Sequence, residues 1–224
     1  MVLSISLTCE HPWNVTPAEA IEIQERLRRL VVRHNGLGGV RAVAGVDIGF
    51  RGDRARAAAV VFSYPALEQL QAVTAECPVE FPYVSGLLTF REGPAALAAL
   101  QRLTVPWDIL LCDGQGYAHP RRFGVASHLG VLLDKPSVGC AKSRLVGRHG
   151  EVGEAAGSWT ELIADGEVVG AVVRTRQGVK PVYVSVGHRL DLASAVELVL
   201  RCTRNRRLPE PVRWAHRLAS GAGT

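Results

Sequence analysis

The residues best equipped for chemistry fall in one run, Ile109-Leu110-Leu111-Cys112-Asp113-Gly114-Gln115-Gly116-Tyr117-Ala118-His119-Pro120-Arg121-Arg122. Four apolar residues lead directly into a carboxylate, the pattern of a buried strand that delivers Asp113 to the rim of a sheet. Gly114 and Gly116 allow a sharp turn and a close approach by a ligand. His119, Arg121 and Arg122 then add the equipment for handling a phosphate beside a metal. The pattern recurs in Val43-Ala44-Gly45-Val46-Asp47-Ile48-Gly49. A single aspartate after a strand serves equally as a turn or cap residue. Two of them on neighbouring strands converge on one point, where their repulsion is relieved by a hard cation. Mg²⁺ suits such a site, because it takes oxygen ligands at about 2.0–2.1 Å and keeps several waters.

Further candidates surround this pair. Glu92 is either a third acidic ligand or an acid stabilised at a helix N-terminus. Lys142 ends the apolar run Val138-Gly139-Cys140-Ala141, as a solvated strand end or as a grip on the scissile phosphate. His119 is placed to position water or a phosphate oxygen, or is a plain loop histidine; His216 lies on a C-terminal helix. Gly114-Gln115-Gly116 does not open a dinucleotide loop, since His119 stands where G-x-G-x-x-G needs glycine. Tyr83, in the loop Phe81-Pro82-Tyr83-Val84-Ser85-Gly86, is either core or an exposed ring that stacks on or wedges between bases. Arg121, Arg122, Arg204, Arg206 and Arg207 would suit a phosphate track, although any one of them is as readily a solvated side chain.

The elements that must carry these residues read as an α/β fold. Thr16-Pro17-Ala18-Glu19 starts a helix with a capping box, and its apolar face runs through Ile23, Leu27, Leu30 and Val31 towards an end near Asn35-Gly36. Three strands joined by short turns follow, over 43–50, 57–62 and 67–75, so they pair antiparallel. A helix is expected over 94–103. Strand 108–113, helix 123–133 and strand 137–142 make a crossover that implies parallel pairing. Two further strands (168–174, 182–186), a helix over 192–203 and a last short helix containing His216 complete a mixed sheet, an antiparallel meander plus parallel strands, flanked by helices.

A chain of 224 residues with 47% hydrophobic and 21% charged residues fits one globular domain spanning 1–224. Its formal charge of +5 and pI of about 9.2 favour an anionic partner. Only Lys135, Lys142 and Lys180 are lysines, so the basic residues are overwhelmingly arginine, a skew that suits phosphate and that GC-rich coding also produces. Five scattered cysteines without a C-x-x-C pair argue against a zinc site or a disulfide framework and for a reducing compartment. Residues 1–9 carry no secretory leader pattern and no apolar run is long enough to span a bilayer, so a soluble cytoplasmic protein is expected.

Taken together the motifs resemble the endonuclease V (deoxyinosine 3′-endonuclease) family. The most specific pieces are VAGVDIGF at 43–50, PYVSGLLTFRE at 82–92, DGQGYAHPRRFGVASHLG at 113–130, GCAKSRL at 139–145 and RLPEPVRWAH at 207–216. The resemblance implies a ribonuclease-H-like fold and an Mg²⁺-dependent nuclease, with Mn²⁺ as a substitute, acting on DNA that contains deoxyinosine. It implies a nick at the second phosphodiester bond 3′ to the lesion, leaving 3′-hydroxyl and 5′-phosphate ends. On this footing Asp47 and Asp113 match the metal-ligand aspartates, Glu92 the third acidic residue, Lys142 the active-site lysine and His119 the histidine of the glycine-rich loop. His216 holds a position that is acidic or histidine in relatives. Tyr83, after Pro82, matches a wedge tyrosine, while Gly86, Leu88, Gly116, Gly139 and Leu145 fall where relatives form the pocket for the everted base. Arg121 and Arg122 would lie along the DNA. Two residues depart from the family pattern: Ser85 stands where the wedge loop usually has a second proline, and Gln115 where histidine is common. No membrane, organic cofactor or second subunit is implied. The alternatives are a nuclease acting on inosine in RNA or on branched structures, and a non-catalytic protein that binds deaminated nucleic acid.

Overall fold

A run of buried alanines and valines fixes the centre of the sheet. In the computed structural model, which describes residues 7–34, 36 and 38–221, β1 (Ala42–Arg51), β2 (Arg54–Ser63) and β3 (Gln69–Pro78) form the expected antiparallel meander. β4 (Ile109–Cys112) adds to the other side of β1 in parallel, and β5 (Ser137–Ala141) adds to β4 in parallel through the crossover helix α3 (Val125–Leu133). The sheet then continues antiparallel through β8 (Val182–His188), β7 (Glu167–Val173) and β6 (Trp159–Ala164), giving the order β3-β2-β1-β4-β5-β8-β7-β6. It is the mixed sheet expected from the sequence, with β6 as an additional edge strand.

Helices cover both faces. α1 (Pro17–Leu27), α2 (Leu88–Gln101) and α3 pack over one core that includes Ala44, Val46, Leu110 and Cys112. α4 (Leu192–Arg201) and α5 (Glu210–Ala219) pack over the other, which includes Val43, Ile109, Leu111 and Val138. β4 is therefore apolar throughout because each face is buried under helices. Each of its fully buried leucines contributes about 1.5–3 kcal/mol of burial. Among the described residues, no helix is long and apolar enough to cross a membrane.

Two helix boundaries differ from expectation. α1 keeps its Thr16–Glu19 capping box but ends at Leu27, followed by a 3₁₀ turn over Arg28–Leu30. The chain then turns extended, because Val32 pairs with the end of β8: Arg189 N–H donates to Val32 O at 2.7 Å. That tertiary pairing outweighs the helical periodicity of Leu30 and Val31. α2 begins six residues before Pro94, which lies inside it. Residues 1–6, where the sequence carries no leader pattern, and Asn35, near the expected helix end, lie outside the described residues.

Candidate active site

The site is assembled where parallel pairing of β1 and β4 stops. Val46 and Cys112 are the last paired residues, and Asp47 and Asp113 follow them side by side, with Asp113 N–H donating to Val46 O at 3.1 Å. Sequence alternation puts Gly45, Asp47 and Gly49 on one face of β1. That face receives α5. A Cβ on Gly45 would lie 2.3 Å from the Pro211 backbone, and one on Gly49 would lie 2.8 Å from Ala219 O. The two glycines thus let α5 lie directly on the strand, with His216 between its two contact points and over Asp47.

The resulting cluster is tight. His216 Nδ1–H donates to Asp47 Oδ2 at 2.6 Å and lies 3.9 Å from Asp113 Oδ2. Lys142, one residue beyond β5, donates to Asp113 Oδ2 at 2.5 Å and stands 3.3 Å from His216 Nδ1. Glu92, in the second turn of α2, is buried near both aspartates. Burial first, and the charge of Asp113 second, push Asp47 up to about 6 against the hydrogen bond from His216. Burial, then the charges of Asp47 and Asp113, push Glu92 up to about 8.

These residues fit a divalent cation. One ligand atom each from Asp47, Asp113 and His216 lie within 4.8 Å of one another. Two carboxylate oxygens and an imidazole nitrogen suit a hard or borderline cation. Burial and, after it, the mutual charge of the carboxylates disfavour their ionised forms here, and the Lys142 ammonium stands against Asp113.

On the far side of Asp113 and Lys142 opens a cavity of about 350 Å³, within the range of small-ligand sites. Its walls come from 83–89, the loop after β4, Val125 and the segment 141–145. Tyr83 stands at its mouth, 74% exposed, so it is a surface ring and not core. Pro82 beside it is exposed. Gly86, Leu88 and Leu145 line this cavity. Gly116 and Gly139 do not; they press together behind Gln115, a Cβ on Gly139 falling 2.4 Å from Gly116 N. Gln115 ties the glycine loop to the exit of β5, its amide donating to Ser143 O at 2.9 Å.

His119 lies on the pocket wall and not among the carboxylates. Burial first, and Arg121 second, push it down to about 4, and its Nδ1 accepts from Arg121 N–H at 3.2 Å. The arginines are mostly committed within the protein. Arg121 bonds Gln24 and Gly86; Arg122, 13% exposed, pairs with Asp165 at 2.9 Å and Glu167 at 3.1 Å. Arg207 holds the carbonyls of Lys142 and Pro181, and Arg204 that of Ala66. Arg206 is exposed. The sequence reading missed Arg144, exposed at the pocket rim, although its place two residues after Lys142 was a signal. It also missed Gln24, whose signal was an amide set among Ile23 and Leu27.

Comparison with known proteins points one way. A model of the endonuclease V family matches residues 25–217. An endonuclease V from Roseiflexus castenholzii is 53% identical over 213 residues, covering 95% of this chain and 96% of its own length. The crystal structure of an endonuclease V from Streptomyces avermitilis matches with a TM-score of 0.89 at 42% identity, covering 98% of this chain and 97% of that one. An endonuclease V from Ciona intestinalis, crystallised with a 24mer DNA containing an inosine followed by a ribo-adenosine, matches with a TM-score of 0.81 at 30% identity, covering 92% of this chain and 96% of that one.

Proposed function

Because the chain belongs to the endonuclease V family, a family of nucleases, we propose that it is an Mg²⁺-dependent endodeoxyribonuclease that recognises deoxyinosine. It nicks the same strand at the second phosphodiester bond 3′ to the lesion, leaving 3′-hydroxyl and 5′-phosphate ends. The observation that carries this reading is the wall of Asp113 and Lys142 shared by the base-sized pocket and the carboxylate cluster. A base held in the pocket leaves the phosphates of its own strand running past the cluster.

Recognition begins with eversion. Taking a base out of the stack costs a few kcal/mol, and least where pairing is weak, as for hypoxanthine. Tyr83, exposed at the pocket mouth, fills the gap left in the duplex. The pocket then reads the base edge through the backbone of its glycine loop and the fixed side chains behind it. At the cluster, Asp47, Asp113 and His216 hold the cation, with Glu92 as the nearby acid. A bound Mg²⁺ supplies Lewis acidity and charge neutralisation to the scissile phosphate, and Mn²⁺ substitutes for it. Lys142 turns its ammonium from Asp113 to a phosphate oxygen and steadies the charge that develops as a water attacks the phosphorus in line and the 3′-oxygen leaves, taking up a proton to become the 3′-hydroxyl. His119, held neutral, keeps the pocket wall in shape through its bonds to Arg121 and to the Gly86 backbone.

An end-labelled duplex with one deoxyinosine, incubated with and without Mg²⁺ and mapped to the nucleotide, tests this. The expected product is a single nick at the second 3′ phosphodiester, only with the metal. A cut elsewhere, or preferential cleavage of the matched inosine RNA, overturns the substrate assignment. Binding without any nicking makes the protein a lesion binder instead.

A further inference from the structure

Gln24 is the polar member of the buried face of α1, beside Ala20, Ile23 and Leu27, and it is fully buried. An amide placed there costs stability unless its hydrogen bonds are made. They are made to two segments of the site, the loop that ends at Gly86 and the stretch 121–123. Its Nε2 donates to Gly86 O at 3.1 Å and to Phe123 O at 3.2 Å, and its Oε1 accepts from Arg121 Nε at 2.5 Å. Arg121 Nη2 also donates to Gly86 O, at 2.6 Å. The Gly86 carbonyl is thus gripped by two donors linked through one glutamine, and His119 bonds the Gly86 backbone beside them.

Gly86 is built for that grip. Its φ of +79° turns the carbonyl inward, and a Cβ there would fall 2.8 Å from Arg121 Nη2. Gly86 closes the loop that carries Tyr83. The other end of that loop is held by Arg91 Nη1, which donates to Phe81 O at 2.9 Å. Between these two anchors Pro82, Tyr83 and Ser85 are exposed. A leucine at position 24 would suit the apolar face of α1 equally well. A buried, fully bonded polar group adds geometric specificity instead.

We propose that Gln24 is a positioning residue for lesion recognition: with Arg121 it clamps the Gly86 carbonyl and so sets where the Tyr83 ring stands over the base pocket. The proposal rests on the reading of this chain as a deoxyinosine endonuclease. Gln24 itself reaches neither DNA nor the reacting groups. That makes it a cleaner probe than Arg121, whose replacement would also remove a positive charge from the site.

The test uses Gln24→Met, which removes all three bonds at similar volume, and Gln24→Glu, which keeps the acceptor for Arg121 but turns the two donors against carbonyl oxygens. Affinity is measured for matched duplexes with and without one inosine, in Ca²⁺ to suppress cleavage. A 2-aminopurine beside the inosine reports wedge insertion, and thermal melting reports folding. For both variants the ratio of lesion to undamaged affinity should fall about tenfold, as for loss of roughly one net buried hydrogen bond. Undamaged-duplex affinity should stay near wild type, and the 2-aminopurine signal at saturation should drop. Folded variants that keep the wild-type ratio and signal overturn the clamp. So do variants that lose affinity for both duplexes alike, and so does failure of both to fold, since each makes Gln24 a general staple. A wild-type protein that does not distinguish inosine overturns the functional reading and the clamp together, whereas a discriminating wild type with equally discriminating variants overturns the clamp alone.

Discussion

The carboxylate cluster and the base pocket share Asp113 and Lys142, yet protons are treated in opposite ways on the two sides of that wall. On the cluster side burial and mutual charge push Asp47 up to about 6 and Glu92 up to about 8. On the pocket side burial and Arg121 push His119 down to about 4. Burial leads on both sides and favours the neutral form of each group; on the cluster side the neighbouring carboxylate charges add to it, and a divalent cation would offset them. The pocket side is braced within the protein, Gln115 on Ser143, His119 on Arg121, Gln24 and Arg121 on Gly86, while the buried Gln115 Oε1 is left without a partner. If, as proposed, chemistry needs the cation and recognition the braced pocket, the two should come apart under mutation.

The largest expected effect is on the cluster. Asp47→Ala or Asp113→Ala should lower the single-turnover nicking rate by at least about 10²–10³-fold, the scale for losing one preorganised electrostatic group. Inosine-duplex affinity should change far less for Asp47→Ala, because Asp47 lies outside the pocket, whereas Asp113→Ala also frees Lys142 on the shared wall. Undiminished nicking by either variant would remove the metal from its assigned place. Tyr83→Ala should do the converse. Base–aromatic stacking is worth about 1–3 kcal/mol, so lesion discrimination should drop roughly ten- to a hundredfold. Affinity for undamaged duplex should drop less; an equal loss on both duplexes would make Tyr83 a general contact.

The two sides also differ in how far the sequence reveals them. Asp47 and Asp113 are legible because each follows an apolar run and precedes a glycine, and parallel strands in register bring such endings together. The place of His216 is not, because it depends on Gly45 and Gly49 admitting α5 onto β1, a contact across 169 residues. Arg121 and Arg122 look like DNA contacts by composition, but their partners Gln24, Asp165 and Glu167 are supplied by segments remote in sequence. β6 was missed because its residues 159–164 carry little apolar alternation, being an edge strand whose outer side pairs through the single Arg148–Ile163 bridge. The start of α2 was missed because Pro94 reads as a first-turn residue, whereas tertiary burial of Phe90 and Glu92 carries the helix through it.

The opposed protons give a smaller effect with a definite sign. Glu92 has an ordinary value of 4.5 and is pushed to about 8 in the fold. A raised carboxyl contributes stability that is present below pH 4.5 and is lost as pH rises towards 8. His119 runs the other way: its value falls from 6.5 to about 4, so its contribution is present above pH 6.5 and is lost as pH falls towards 4. In the metal-free protein, Glu92→Gln should therefore flatten a decline in stability between about pH 4.5 and 8. His119→Gln should flatten a rise between about pH 4 and 6.5. Denaturant titrations of the two variants against wild type across this range measure both slopes, and slopes of the same sign would dissolve the contrast. Mg²⁺ should cancel the Glu92 slope and leave the His119 slope untouched.

The smallest effect concerns phosphate contacts, where committed arginines can be set against an exposed one. Arg122 is largely buried between Asp165 and Glu167, so it is a brace for the segment after β6. Arg144 is exposed at the rim of the pocket, two residues from Lys142, where the proposed strand path would pass. Each phosphate neutralised on duplex DNA adds about 0.9 to the slope of log affinity against log salt. Arg144→Ala should therefore reduce that slope by about one and weaken lesion and undamaged duplexes equally. Arg122→Ala should lower the melting temperature and leave the slope alone, because the charge it removes was already balanced within the protein. If Arg122→Ala changes the slope and Arg144→Ala does not, the DNA runs along the β6 side of the molecule, and the strand path past Lys142 has to be redrawn.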